Sequence, residues 1–237
     1  MPDEAVSPPD VTPSSEPGAG GYDGAVVDLL GVLACGELSA FERLCADAAL
    51  APTLDDKAEI AAMACAEFGH FQLLRARLAD LGVDAETAMR PFVAALDAFH
   101  ASTAPADWLE GLVKAYVGDG IAADFYREIS VLLDDRTREL VLSVFADTGH
   151  SEFVVAKVRA AIEADPRVAG RLALWGRRLM GEALSQAQRV AAERDALAGL
   201  LAGASGEGGM DLVELGRMFT RITEQHTKRM AALGLAA

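Results

Sequence analysis

The sequence lacks most of what a sheet, a disulfide scaffold or a nucleic-acid-binding surface requires. Aromatic residues make up 6% of the 237-residue chain, and runs of β-branched residues are rare, so strands are not expected. The three cysteines, Cys35, Cys45 and Cys65, form no CxxC pair, which removes the usual disulfide and zinc patterns. Their apolar surroundings predict buried free thiols. No secretory pattern opens the chain, and no apolar run approaches the roughly 18–20 residues of a membrane span. The expectation is a soluble chain in a reducing cytoplasm, with no membrane partner. Positive charge is also scarce. Residues 1–153 carry 9 Lys/Arg against 27 Asp/Glu, a balance of −18, and residues 154–237 carry 12 against 9, a balance of +3. An acidic surface of that kind opposes non-specific nucleic-acid binding, which depends on neutralising phosphates.

What is present is Ala and Leu in helical spacing, and the fold class is all-α. Residues 1–22 are rich in Pro, Gly, Ser and acid and read as a disordered tail. A first helix is predicted over 23–50, ended by Ala51-Pro52-Thr53, and a second over 55–81, with Gly82 just past its end. The short turn between them makes an antiparallel hairpin. Residues 83–106 form a long connection containing Pro91, with short helical turns such as 91–99. A third helix follows over 107–133. A fourth runs over 134–164, stopped by Pro166, and a fifth over 167–201. A flexible loop spans 202–209, and a last helix covers 211–233. The predicted organisation is a tail (1–22), a four-helix bundle (23–164) and two C-terminal helices packed on it (165–237).

Within this pattern the chain reads acid…acid-x-x-His twice: Glu37, then Glu67 and His70; Asp119, then Asp147 and His150. The i, i+3 spacing puts carboxylate and imidazole on one helix face. One acid from each of two helices and an acid-x-x-His pair from each of two others is the ligand set of a two-metal carboxylate site in a bundle. Oxygen-rich ligation with one imidazole per metal suits two irons, or manganese, rather than structural zinc.

Each candidate has an inward-facing rationale. Glu37 follows Leu33 by four and precedes Phe41 by four. Glu67 and His70 sit among Met63, Ala66, Phe71 and Leu74. Asp119 follows Leu112 by seven and Tyr116 by three, between Gly118 and Gly120, which either admit a close approach or mark a helix break. Asp147 shares a stripe with Val144 and Val154. Glu42 and Asp124 are rival acids, and Asp97–His100 is a decoy pair in the crossover. Without a cation, four converging acids would repel one another and weaken the fold.

The motifs Gly36-Glu37-Leu38, Glu67-Phe68-Gly69-His70 and Gly118-Asp119, with Tyr126 seven residues further on, resemble the ferritin-like superfamily. The resemblance covers about residues 23–200, and within the superfamily it is best to the tRNA 2-methylthio-isopentenyladenosine hydroxylase-like family. It implies a ferritin-like four-helix bundle with a long crossover between helices two and three. It also implies a diiron, dioxygen-using hydroxylase acting on a tRNA base or a small molecule. In that scheme Glu37 and His70 complete one iron, Asp119 and His150 serve the other, and Glu67 and Asp147 bridge them. The superfamily usually carries Glu where Asp119 and Asp147 stand, and Asp is shorter by about 1.5 Å. That departure, with the acidic surface, motivates a second expectation: a non-enzymatic ferritin-like helical protein with a weakened metal site. Its two C-terminal helices could receive a partner or a second copy of the chain.

Overall fold

The computed structural model describes residues 22–145, 150–202 and 210–237. The described residues are helical, with no strand among them. Helix α1 (Tyr22–Asp47) and helix α2 (Leu54–Asp80) form the predicted antiparallel hairpin. Thr53 caps α2 by accepting from Asp56 N–H at 3.1 Å, one of the donors a helix start leaves unpaired. Gly82, at φ 74°, closes the other end; Gly82 N–H donates to Ala79 at 2.9 Å and Val83 N–H to Leu78 at 3.0 Å. That pair of bonds needs a left-handed residue between them, which glycine supplies.

The crossover is more ordered than predicted, with helix α3 (Ala85–Met89), a 3-10 turn (Arg90–Phe92) and helix α4 (Val93–Ser102). Helix α5 (Trp108–Ser130) follows, capped by Asp107. The predicted fourth helix is replaced by two described helices, α6 (Asp135–Val144) and α7 (His150–Ala164). Phe145 closes α6 outside the helical conformation, and residues 146–149 lie outside the described residues. The predicted fifth helix is likewise two, α8 (Arg167–Glu193) and α9 (Asp195–Ala202). Here the cause is tertiary. Arg194 leaves the helical conformation and forks onto buried Asp28 of α1 through Nε, at 3.0 Å, and Nη2. Helix α10 (Leu212–Ala232) opens with a capping box between Asp211 and Glu214, which satisfies two orphan donors reciprocally. The predicted tail, apart from Tyr22, and the predicted loop beyond Ala202, up to residue 209, lie outside the described residues.

Two apolar clusters fill the interior. One gathers Leu44, Ile60, Met63, Leu112, Leu172, Leu179, Met218 and Ile222. The other gathers Leu29, Leu33, Phe71, Leu74, Phe92, Leu133, Val141 and Leu200. The C-terminal helices therefore complete the core: α8 and α10 finish the first cluster, and α9 enters the second.

Two expectations from composition need correction. Only Cys35 is buried; Cys45 and Cys65 are exposed, each one residue past a buried position, Leu44 and Ala64, and so turned off the apolar stripe. In addition, Tyr22–Leu50 is long and apolar enough to cross a membrane, with a window of mean hydropathy 1.6. The run is interrupted by Asp28 and Glu37, so it does not read as a plain hydrophobic stretch. More than half of that window, 56%, is buried against the other helices.

Candidate metal centre

The polar group between the two apolar clusters is built on α1 and α2. Along α1 the buried stripe runs Leu30, Leu33, Glu37 and Leu44, so helical periodicity carries the Glu37 carboxylate inward with its neighbours. Glu37 is 6% exposed. On α2, Glu67 and His70 stand one turn apart between Met63 and Phe71. His70 Nδ1 lies 3.3 Å from Glu37 Oε2 and 3.7 Å from Glu67 Oε2. One ligand atom from each of the three lies within 4.8 Å of the others. Phe41 and Phe68 pack beside them, ring centroids 5.3 Å apart.

The electrostatics follow from burial and from this triangle. Burial pushes the Glu37 carboxyl well above its ordinary range; the hydrogen bond from His70 opposes that, and the Glu67 carboxylate reinforces it. Burial also presses upward on Glu67, but hydrogen bonds with His70 and Glu37, and the charges of His70 and His150, outweigh it and hold Glu67 low. Hydrogen bonds to Glu37 and Glu67 raise His70 to about 10, against burial. The expected mutual repulsion of the acids is thus relieved by the chain itself: an imidazolium sits between two carboxyl groups, one of which is favoured neutral.

The structure brings together Glu37, Glu67 and His70; of the other three candidates it describes His150 and Asp119, which line the same cavity as these. His150 is the first residue of α7, lines the same cavity and acts on Glu67 through its charge. It is held there because Lys157 pairs with buried Asp56 of α2 at 2.6 Å and because Val154 and Val158 are buried. Asp119 is exposed and its charge acts on Arg229 of α10. Asp147 lies outside the described residues. Among the rivals, Glu42 is exposed beside Arg43. Asp124 is buried but committed to Arg127, at 3.0 Å, and to Arg229. His100, of the decoy pair, lines the cavity.

Helix α5 is continuous through Gly118-Asp119-Gly120, so the glycines mark no break, and of the two Gly120 marks a close approach. A Cβ on Gly120 would stand 2.1 Å from Arg229 Nε, and Arg229 donates to the Gly120 carbonyl at 2.7 Å. Tyr126, further along α5, is half-buried and stacks on Phe145 at 5.3 Å. Burial, then the charges of Glu37 and Cys35, keep its phenol protonated.

The triangle faces a cavity of about 530 Å³, walled by apolar residues of both clusters. Sequence reasoning missed the basic and polar residues on its wall, Arg43, Lys114 and Gln186. Lys114 had a usable signal, being a lone charge inside Gly111-Leu112-Val113-Lys114-Ala115.

An all-helical bundle with a long crossover and an inward Glu…Glu-x-x-His group defines a ferritin-like protein. The chain belongs to the family described as ferritin-like domain, actinomycetes, whose model matches residues 20–204. Helix α10 lies beyond the matched span. No curated protein matches the chain.

Proposed function

We propose that the protein is a carboxylate-bridged diiron protein of the oxygen-dependent hydroxylase or oxidase kind. The observation that carries this reading is the convergence of Glu37, Glu67 and His70 at the wall of an apolar cavity. The donor set fits the group: two carboxylates and one imidazole suit iron or manganese, and buried Glu37 is an acid that only a partner or a cation makes tolerable. Glu37, Glu67 and His70 would hold one ion. His150, with Asp147 of the second acid-x-x-His motif and Asp119, are the chain's remaining donors for a second. When bound, two ferrous ions supply the electrons that reduce dioxygen for hydroxylation of an unactivated C–H bond. The residues around them bind and exclude. His70, an imidazolium without a metal, must lose a proton from one ring nitrogen to become a ligand. The apolar wall keeps water from the reacting bond. A modified tRNA base with a prenyl side chain is the substrate that the resemblance names; a small apolar molecule fits the acidic surface better.

Iron analysis of protein from iron-supplemented cells, followed by anaerobic ferrous loading and exposure to air, tests this. Two irons per chain and an oxygen-dependent absorption change are expected; less than one iron and no change overturn it. Loss of the hydroxylated base in a deletion strain tests the tRNA form separately. One observation favours a second reading, a non-enzymatic protein with a weakened site: on α5, Asp119 is exposed and Asp124 is spent on Arg229. If His70→Ala and His150→Ala leave phenotype and stability unchanged, that reading replaces the first.

A further inference from the structure

Away from the carboxylates, the cavity wall carries a second polar group that the metal reading does not use. Glu37 and Asp47 are ten residues apart on α1, a separation of roughly 15 Å along the helix. At the Asp47 end, Asp47 packs over Gly111 of α5, and Lys114 stands one turn further along α5. Lys114 is only 7% exposed. Its ammonium donates to the Thr103 carbonyl at 2.8 Å and lies 5.5 Å from the Phe99 ring centroid. An ammonium has three donors, and this one has a carbonyl, not a carboxylate, as its hydrogen-bond partner.

Two more polar atoms on the wall are buried and unpartnered: His100 Nδ1 on α4 and Gln186 Oε1 on α8. Both belong to residues that line the cavity. Buried polar atoms without partners are uncommon in folded proteins and call for an explanation. Burial, with the charges of Lys114 and Arg43, brings His100 down to about 4, so it is neutral. Arg43 also lines this end; it faces Glu42 at 3.6 Å on its exposed side. Arg43 is thus shared with exposed Glu42, and Lys114, with Asp47 near it, is the buried ammonium on this wall. Between this end and Glu37 the wall is Leu44 and Ala40 on α1, with Gly36 and Leu33 just beyond Glu37, and Phe99 and Ala115 line the same cavity.

We infer that the cavity binds an apolar organic acid, with its carboxylate on Lys114 and its apolar body running toward Glu37 and His70. A single carboxylate matches the one buried ammonium, whose hydrogen-bond partner in the chain is a carbonyl. A carboxylate accepts the unused Lys114 donors and a donor from neutral His100. The apolar tail takes the part of the wall that offers no hydrogen bonds. A free end of the tail then lies against the carboxylate and imidazole group. Binding of the acid does not depend on a metal.

The test titrates the chelator-treated full chain with dodecanoate and with dodecanol. The acid is expected to bind about tenfold tighter than the alcohol, the ratio of a charge-assisted hydrogen bond in a buried site. Lys114→Met is expected to erase that preference by weakening the acid far more than the alcohol, whereas His70→Ala, which meets only the tail, changes acid and alcohol alike and leaves their ratio intact. A dodecanoate analogue with a diazirine at its tail should label α1 around residues 33–40, a readout that needs no variant to fold. Equal affinity for acid and alcohol, binding of neither, a preference that survives Lys114→Met or disappears with His70→Ala, or tail labelling at residues 99–114 would each overturn the inference. Failure of iron loading would leave all of these readouts in place.

Discussion

Nδ1 of His70 stands 3.3 Å from Oε2 of Glu37 and 3.7 Å from Oε2 of Glu67, so the imidazolium occupies the position a cation would take between the two acids. Any metal that binds there must displace a proton. Its affinity should therefore rise with pH between about 6 and 8, by as much as tenfold per unit for each proton released. Calorimetry with manganese in buffers of different ionisation enthalpy measures that release directly; a pH-independent affinity would contradict it. The same residue sets a sign for stability. His70 is raised from 6.5 to about 10 in the folded chain. Its contribution is complete below 6.5 and is lost as pH rises through 10. Metal-free protein should lose stability over that window, and His70→Ala should flatten the loss.

The two acids should behave oppositely when removed. Glu37 is pushed up chiefly by burial, so its charge is a cost to the metal-free fold. Glu37→Gln is expected to be neutral or stabilising in metal-free protein. Glu67 is held low by its hydrogen bonds with His70 and Glu37, so Glu67→Ala removes an anionic partner of the His70 imidazolium, leaving it Glu37 alone at 3.3 Å, and should cost about 1–3 kcal/mol. In both variants the rise in melting temperature on adding iron or manganese should largely vanish. Denaturation with and without metal checks all four values.

Two glycines two residues apart on α5 give a contrasting pair. Gly118 has nothing within 4 Å of where a Cβ would stand, whereas a Cβ on Gly120 meets Arg229 Nε at 2.1 Å. Gly118→Ala should stabilise the chain by up to about 1 kcal/mol through helix propensity. Gly120→Ala should destabilise it by about 1–3 kcal/mol, because Arg229 must leave Asp124 and the Gly120 carbonyl. Chemical denaturation distinguishes the two, and proteolysis should show α10 released first in Gly120→Ala.

His226 on α10 is 4% exposed, and neither ring nitrogen has a partner. Burial lowers its pKa. For a base lowered in the folded state, stability is intact above the ordinary value near 6.5 and falls as pH drops below it, because the unfolded chain takes up the proton first. His226→Leu should raise stability at neutral pH by about 1 kcal/mol and reduce the loss between about pH 6.5 and 5. A thermal melt series across that range provides the comparison.

Much of this architecture is legible in the sequence because local signals carry it. The caps at Thr53, Asp107 and Asp211 and the left-handed Gly82 fix helix ends through bonds within a few residues. Glu37, Glu67 and His70 are legible for the same reason: each lies on an apolar stripe, and a single hairpin brings them together. The division of the long C-terminal helix at Arg194 is not legible, since its cause is Asp28, far away in sequence. Nor is the fate of the acids on α5. Periodicity puts Asp119 and Asp124 on the helix but says nothing of Arg229, which arrives from α10 and binds Asp124. Lys114 is visible only as an oddity, a charge in an apolar segment, until the Thr103 carbonyl and the cavity give it a place.

The carboxylate and imidazole group lies on the seam between the two apolar clusters, not inside either. Helices α1, α2 and α5 run through both clusters, so opening there is a matter of wall side chains turning aside while the helices stay packed, a local event that costs less than global unfolding. Traffic into and out of the interior can then run on the timescale of local breathing, and the chain remains folded while its contents change.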